Sequence, residues 1–304
     1  MQLGTSTLNW LKYQRELFLL SLSFFSRIPI PADTPYSDER MNRSGRYFAL
    51  VGAVIGCLCS FVLYLCSFLV PIQIAILMMM VFSLLLTGAF HEDGLTDMAD
   101  GIGGGMTVER RLLIMKDSRI GTYGAATLVM ALVGKLLLLI TIADLLNLQS
   151  GGSVPTFLMV TLIAAHTLSR TVAASLIFDM KYVSDADTSK SKPLANKQRA
   201  GELVFLIFCG LVSLMLFGLP IDDLSLAVAH GLKPDLFMKP GLFMKPELFI
   251  VALIISAMVF RWWFKRWLIS RIGGFTGDCL GAAQQLMELL IYFVIVAILY
   301  RFTQ

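Results

Sequence analysis

Seven apolar stretches constrain this chain before any other feature does. They occupy 48–70, 72–90, 125–146, 155–178, 202–219, 247–268 and 281–300. Each approaches the roughly 20 residues that a helix needs to cross about 30 Å of hydrocarbon. The second is short and follows the first after only Pro71, which predicts a tight hairpin. Charged residues make up 15% of the chain and hydrophobic ones 57%, against roughly 25% charged in a soluble domain. There is too little polar surface here to cover a globule, and disorder or a fibrous repeat is excluded on the same ground. The expected fold is all-α: a polytopic membrane bundle of about seven transmembrane helices, forming a single integral membrane domain over 1–304.

Lysines and arginines fix the expected orientation. With the N-terminus in the cytoplasm, 19 of the 25 fall in the segment before the first span and in 91–124, 179–201 and 261–280. The opposite side keeps Lys233, Lys239, Lys245 and Arg301, while Lys135 and Arg170 lie inside spans. A multi-pass membrane protein with a cytoplasmic N-terminus is expected, with the lipid bilayer as its solvent. Residues 8–27 read as an uncleaved interfacial helix, because no small-residue cleavage pattern precedes Arg27-Ile-Pro-Ile-Pro. A net charge of +4, scattered along the chain, does not indicate a nucleic-acid partner. The five cysteines show no metal spacing and read as reduced packing residues. Residues 234–249 repeat a six-residue Pro-containing unit, which reads as a local duplication in an outward loop.

The polar content concentrates after the second span. Asp93, Asp97 and Asp100 are spaced by four and three, so continued helical geometry stacks three carboxylates on one face. Such a face repels itself without a cation, and hard oxygen ligands select Mg²⁺, Mn²⁺ or Ca²⁺ over zinc. A solvated helix end is the plainer alternative. His91 and Glu92 are weaker candidates, Glu92 because it points away from the Asp93 face. Gly103 and Gly104 precede Thr107, an expected N-cap for a helix over 108–116, and glycines at such a place can bind phosphate through backbone N–H groups. Lys116 and Arg119 suit phosphate oxygens, and Asp117 suits either a metal or a hydroxyl proton. Arg46 is a further phosphate candidate.

Polar groups also occur at membrane depth, where an ionisable side chain costs about 2.5–3.5 kcal/mol on the insertion scale. Arg170 and His166 form an i,i+4 pair in the fourth span and suggest a polar cavity in the bundle. Trp262, Trp263 and Trp267 with Arg261, Lys265 and Arg266 read as an interfacial anchor. Asp278 and Glu288 are second-site candidates, for substrate and metal respectively.

Four motifs carry a resemblance: FSRIPIP (25–31), HEDGLTDMADG (91–101), IMKDSRIGTYG (114–124) and GFTGDCLGA (274–282). In spelling and order they resemble the cobalamin-5′-phosphate synthase (adenosylcobinamide-GDP ribazoletransferase) family, from about residue 15 to the C-terminus. The resemblance implies a membrane transferase that joins adenosylcobinamide-GDP to α-ribazole or its 5′-phosphate and releases GMP, usually with Mg²⁺. It implies corrinoid nucleotide and ribazole substrates, and it is compatible with a homo-oligomer. On that reading Asp93, Asp97 and Asp100 hold metal on the pyrophosphate, Lys116 and Arg119 clamp phosphate, and Asp117 orients the attacking hydroxyl. Gln284-Gln285 depart from the family, which often has an acidic residue there, leaving Glu288 as the nearer metal candidate.

Two other classes compete. CDP-alcohol phosphatidyltransferases and prenyltransferases also place Asp-rich motifs at a membrane face, but with different spacings and without KDSRIGTYG. A secondary transporter would show inverted repeats and midplane sites, whereas these carboxylates cluster toward one side.

Overall fold

A computed structural model describes residues 2–150, 154–184, 197–218 and 246–303. Among these residues the chain is helical throughout, with one isolated bridge between extended segments. The helices are α1 (Gln2–Phe25), α2 (Asp38–Ser44), α3 (Phe48–Ser67), α4 (Ile72–Thr87), α5 (Phe90–Gly104) and α6 (Val108–Met115), then α7 (Thr122–Ser150), α8 (Val154–Ser175), α9 (Ala200–Leu214), α10 (Pro246–Ile272) and α11 (Gly277–Thr303). Six helical segments are long and apolar enough to cross a membrane: Asp38–Ser67, Thr122–Asn147, Val154–Phe178, Ala200–Gly218, Pro246–Ile272 and Gly277–Thr303.

The second expected span, 72–90, is where sequence and structure differ. Pro71, which has no N–H to leave unpaired, opens α4. The helix stops at Thr87, after 16 residues, a rise of about 24 Å that falls short of the hydrocarbon thickness. Gly88 and Ala89 both adopt left-handed backbone (φ 64° and 54°), and α5 leaves at 84° to α4. Glycine tolerates that conformation, whereas alanine loses about 1–2 kcal/mol in it. The acidic segment is therefore a separate helix folded back across the bundle, so Glu92 and Asp93 stand in its first turn rather than at the C-terminal end of a span. There they complement the helix dipole instead of opposing it.

The amphipathic N-terminal helix spans Gln2–Phe25 and is not among the spanning helices. Leu17 and Leu20 bury against the bundle while Leu8, Trp10 and Leu11 are exposed, the one-sided burial of a surface helix. The most buried helix is α8, 89% of whose apolar window is inside the protein. The repeat over 234–245 lies outside the described residues, and its last residues open α10.

The basic connections meet at one end of the bundle. Arg46, just before α3, pairs with Glu202 at the start of α9 (2.7 Å). Arg111 in α6 donates to the Arg271 carbonyl at the end of α10 (2.7 Å). The segment after α8 pairs with the α10–α11 turn through Val183 N–H to Phe275 O (3.0 Å) and Phe275 N–H to Lys181 O (2.9 Å). Asp179 bridges Arg261 (2.8 Å) and Lys265 (2.6 Å) of α10, and Arg266 lies over the Trp262 ring (4.4 Å) in the expected aromatic and basic belt.

Candidate active site at the basic end

Helix α5 carries few large apolar side chains, and its place is set by close backbone contacts at this end. Gly94 packs against the first turn of α11, where a Cβ would come within 3.1 Å of Asp278 Cα and 3.3 Å of Gly281 Cα. A side chain there would have to push its neighbours aside by a few tenths of an ångström, and glycine lets HEDGLTDMADG lie directly on GFTGDCLGA. Thr276 caps α11 by accepting from Cys279 N–H (3.3 Å) and also donates to Asp278 (3.3 Å).

The same helix is tied to the third motif through Asp100. Its carboxylate is buried and accepts N–H bonds from Gly121 (2.7 Å) and Gly124 (2.8 Å) at the start of α7. A Cβ at either glycine would collide with that carboxylate. The residue selected from spacing as a metal ligand thus spends both oxygens on capping α7. The fourth motif closes over the hinge. Arg27 N–H donates to Leu86 O (2.7 Å), the Arg27 guanidinium covers Gly88, and Phe25 stacks on Phe48 beside the His91 ring.

Three motifs, as far apart as 25–31 and 274–282, therefore converge on the motif that forms α5. Along its acidic side the environment changes. Asp93 is exposed, Asp97 half-buried and Asp100 buried. Gly103 and Gly104 stand in the last turn of α5, not at a helix N-terminus, and Gly103 lies against the Tyr123 ring. Thr107 does cap α6, accepting from Arg110 N–H (3.3 Å). The Glu109 backbone N–H, and then the Thr107 hydroxyl, hold the Glu109 carboxyl below its ordinary range.

Lys116 ends α6. Beyond it Arg119 forms a two-pronged pair with Asp117 (Nη2 to Oδ2 2.6 Å, Nε to Oδ1 3.0 Å), which raises the guanidinium pKa. The base and phosphate-clamp candidates thus face each other. Two other candidates are engaged with groups of the protein. Arg46 is held by Glu202 and the Arg43 carbonyl. Arg170 is inside the bundle, donating to His166 Nδ1 (3.0 Å) as the i,i+4 spacing anticipated. Glu288, 1% exposed, pairs with Lys135 (3.1 Å) and accepts from Gln284 (2.6 Å) and Tyr292 (3.0 Å). It has the partners of a buried counter-ion rather than those of a ligand open to metal. Glu92, the weaker candidate by spacing, and Gln285, known from sequence only as a departure from the family, are hydrogen-bonded to each other (2.9 Å).

Among the described residues no group of three or more His, Cys, Asp or Glu side chains is arranged to hold a metal ion. Mg²⁺ ordinarily takes one or two carboxylates and completes its shell with water and substrate phosphates. Asp93 and Asp97, one turn apart and toward the surface of α5, fit that shared mode; a closed three-carboxylate cage does not.

Residues 17–296 match the profile of the family described as cobalamin-5-phosphate synthase. The chain belongs to the cobalamin-5-phosphate synthase family. It is 56% identical over 287 residues to a protein of Vibrio vulnificus strain YJ016, covering 94% of this chain and 98% of the relative. Identity is 52% over 289 residues with one of Vibrio cholerae strain O395 (95% and 96% covered), and 43% over 292 with one of Shewanella frigidimarina (96% and 97%). All three relatives are named adenosylcobinamide-GDP ribazoletransferase. No solved structure matches the chain. The family assignment excludes the phosphatidyltransferase, prenyltransferase and transporter alternatives as the chain's family.

Proposed function

We propose that this chain is a membrane adenosylcobinamide-GDP ribazoletransferase, which joins the GDP-activated corrinoid to α-ribazole or its 5′-phosphate and releases GMP. The observation that supports this most is the convergence of the other three family motifs on α5, itself the fourth, at the basic end of the bundle. A hydroxyl of the ribazole attacks the phosphorus that stays with the corrinoid, the pyrophosphate bond breaks, and GMP departs with the bonding electrons. Asp93 and Asp97 would hold Mg²⁺, which when bound would supply charge neutralisation on the diphosphate. Lys116 and Arg119 meet phosphate oxygens. Asp117, released from Arg119 by the incoming anion, takes the hydroxyl proton. Asp278 lies beside this surface through its contact with Gly94, in reach of a substrate contact.

The basic end faces the cytoplasm of a bacterial inner membrane in this reading, with the N-terminus on the same side. Purified protein in lipid nanodiscs, given adenosylcobinamide-GDP, α-ribazole and Mg²⁺, should release GMP in step with the joined corrinoid. Loss of the reaction on chelation, restored by added Mg²⁺, is expected. No GMP release, or substrate movement into sealed vesicles without covalent change, would reject the proposal.

A further inference from the structure

The first turn of α5 rests on a polar network that the proposed chemistry does not use. Gln285 of α11 donates to Glu92 (2.9 Å) and to Gln284 (2.8 Å), and its carbonyl oxygen accepts from Lys135 of α7 (3.1 Å). Lys135 in turn pairs with Glu288 (3.1 Å). Every one of these side chains is under 10% exposed. Glu92 and Glu288 balance Lys135 and neighbouring Arg170 in formal charge.

Such a network is a poor source of stability, because apolar side chains of the same volume would serve a membrane bundle as well or better. What it can supply is register. Helix α5 has Leu95 and Met98 as its strongly buried large apolar side chains, too little to fix a helix that turns 84° out of its predecessor. Polar pins hold it at both ends: Asp100 on α7, and Glu92 on Gln285. Asp93 and Asp97 lie between them.

We infer that Gln285, held by Lys135 and Glu288, is a positioning residue that sets the pose of α5 through Glu92 and so places Asp93 and Asp97 for the diphosphate. This rests on the proposed transferase reading for its kinetic consequence, though not for its structural one. Gln285→Met keeps volume and formal charge and cuts the link to Glu92. Its kcat for GMP release should fall at least tenfold with the KM for adenosylcobinamide-GDP within about threefold. Hydrogen exchange of 90–104 in nanodiscs should quicken at least tenfold while the melting temperature moves only a few degrees. The paired variant Lys135→Met/Glu288→Met, which removes two opposite charges together, guards against simple misfolding. It should melt near the wild type yet keep low kcat and fast exchange in α5.

Wild-type exchange and kcat in Gln285→Met would overturn the inference, as would full recovery of both in the paired variant. Should the wild type release no GMP, the transferase reading fails, and α5 exchange alone still decides whether Gln285 positions the helix.

Discussion

Two sets of carboxylates on or against α5 look alike in sequence and differ in what surrounds them. Glu92, Asp100 and Glu288 are buried, and each is bound by groups of the protein: Gln285, the Gly121 and Gly124 amides, and Lys135. Asp93 is exposed and Asp97 half-buried. A buried carboxylate is stable only when hydrogen-bonded or paired, so the inner set is spent on holding helices together. The outer set is the one that an external ligand can reach. Spacing along a helix shows which acids share a side; it does not show where along that side another helix begins to cover them.

The sharpest way to break this comparison is through the outer set. Asp97→Asn should lower kcat for GMP release by about 10²–10³, the usual loss when one preorganised electrostatic group is removed, with expression and melting close to wild type. An equal loss of folding would mean that Asp97 belongs with the inner set. On the inner side, Gly124→Ala drives a methyl group into the Asp100 carboxylate. A cost of about 1–3 kcal/mol is expected, read as a lower melting temperature in nanodiscs, and wild-type melting would show that the cap is loose.

Away from α5 the smallest effect is expected. Burial raises the Asp179 pKa, but the Lys265 ammonium and then the Arg261 guanidinium more than reverse this, holding its carboxyl below the ordinary range. Its stabilising contribution is therefore complete above the unfolded value of about 3.9 and is lost as pH falls through the lowered folded value. Asp179→Asn should cost up to about 1 kcal/mol at neutral pH, and its difference from wild type should vanish toward strong acid. A difference that grows on acidification would contradict the sign.

Much of the architecture was legible in the sequence because a membrane leaves few options. Unbroken apolar runs identify spans, and the Thr107 cap and the His166–Arg170 pair follow from local spacing. The break at Gly88-Ala89 was hidden because the apolar run continues to Phe90, across two residues whose left-handed backbone no hydropathy pattern records. Asp100 looked like a ligand because its partners, Gly121 and Gly124, offer only backbone N–H groups. Gln285 stood out only as half of a Gln-Gln pair that departs from the family, and its importance depends on Glu92, 193 residues away. Contacts made by backbone or across such distances leave no periodic trace.

Central to the account is that the outward carboxylates, and not the buried ones, hold the divalent ion on the diphosphate. Titrating Mg²⁺ against GMP release in Asp97→Asn and Asp100→Asn, side by side in nanodiscs, tests this most directly. The account predicts a Mg²⁺ midpoint raised at least tenfold in Asp97→Asn, and in Asp100→Asn a wild-type midpoint with a lowered melting temperature. The reverse pattern, a shifted midpoint in Asp100→Asn and none in Asp97→Asn, would contradict it.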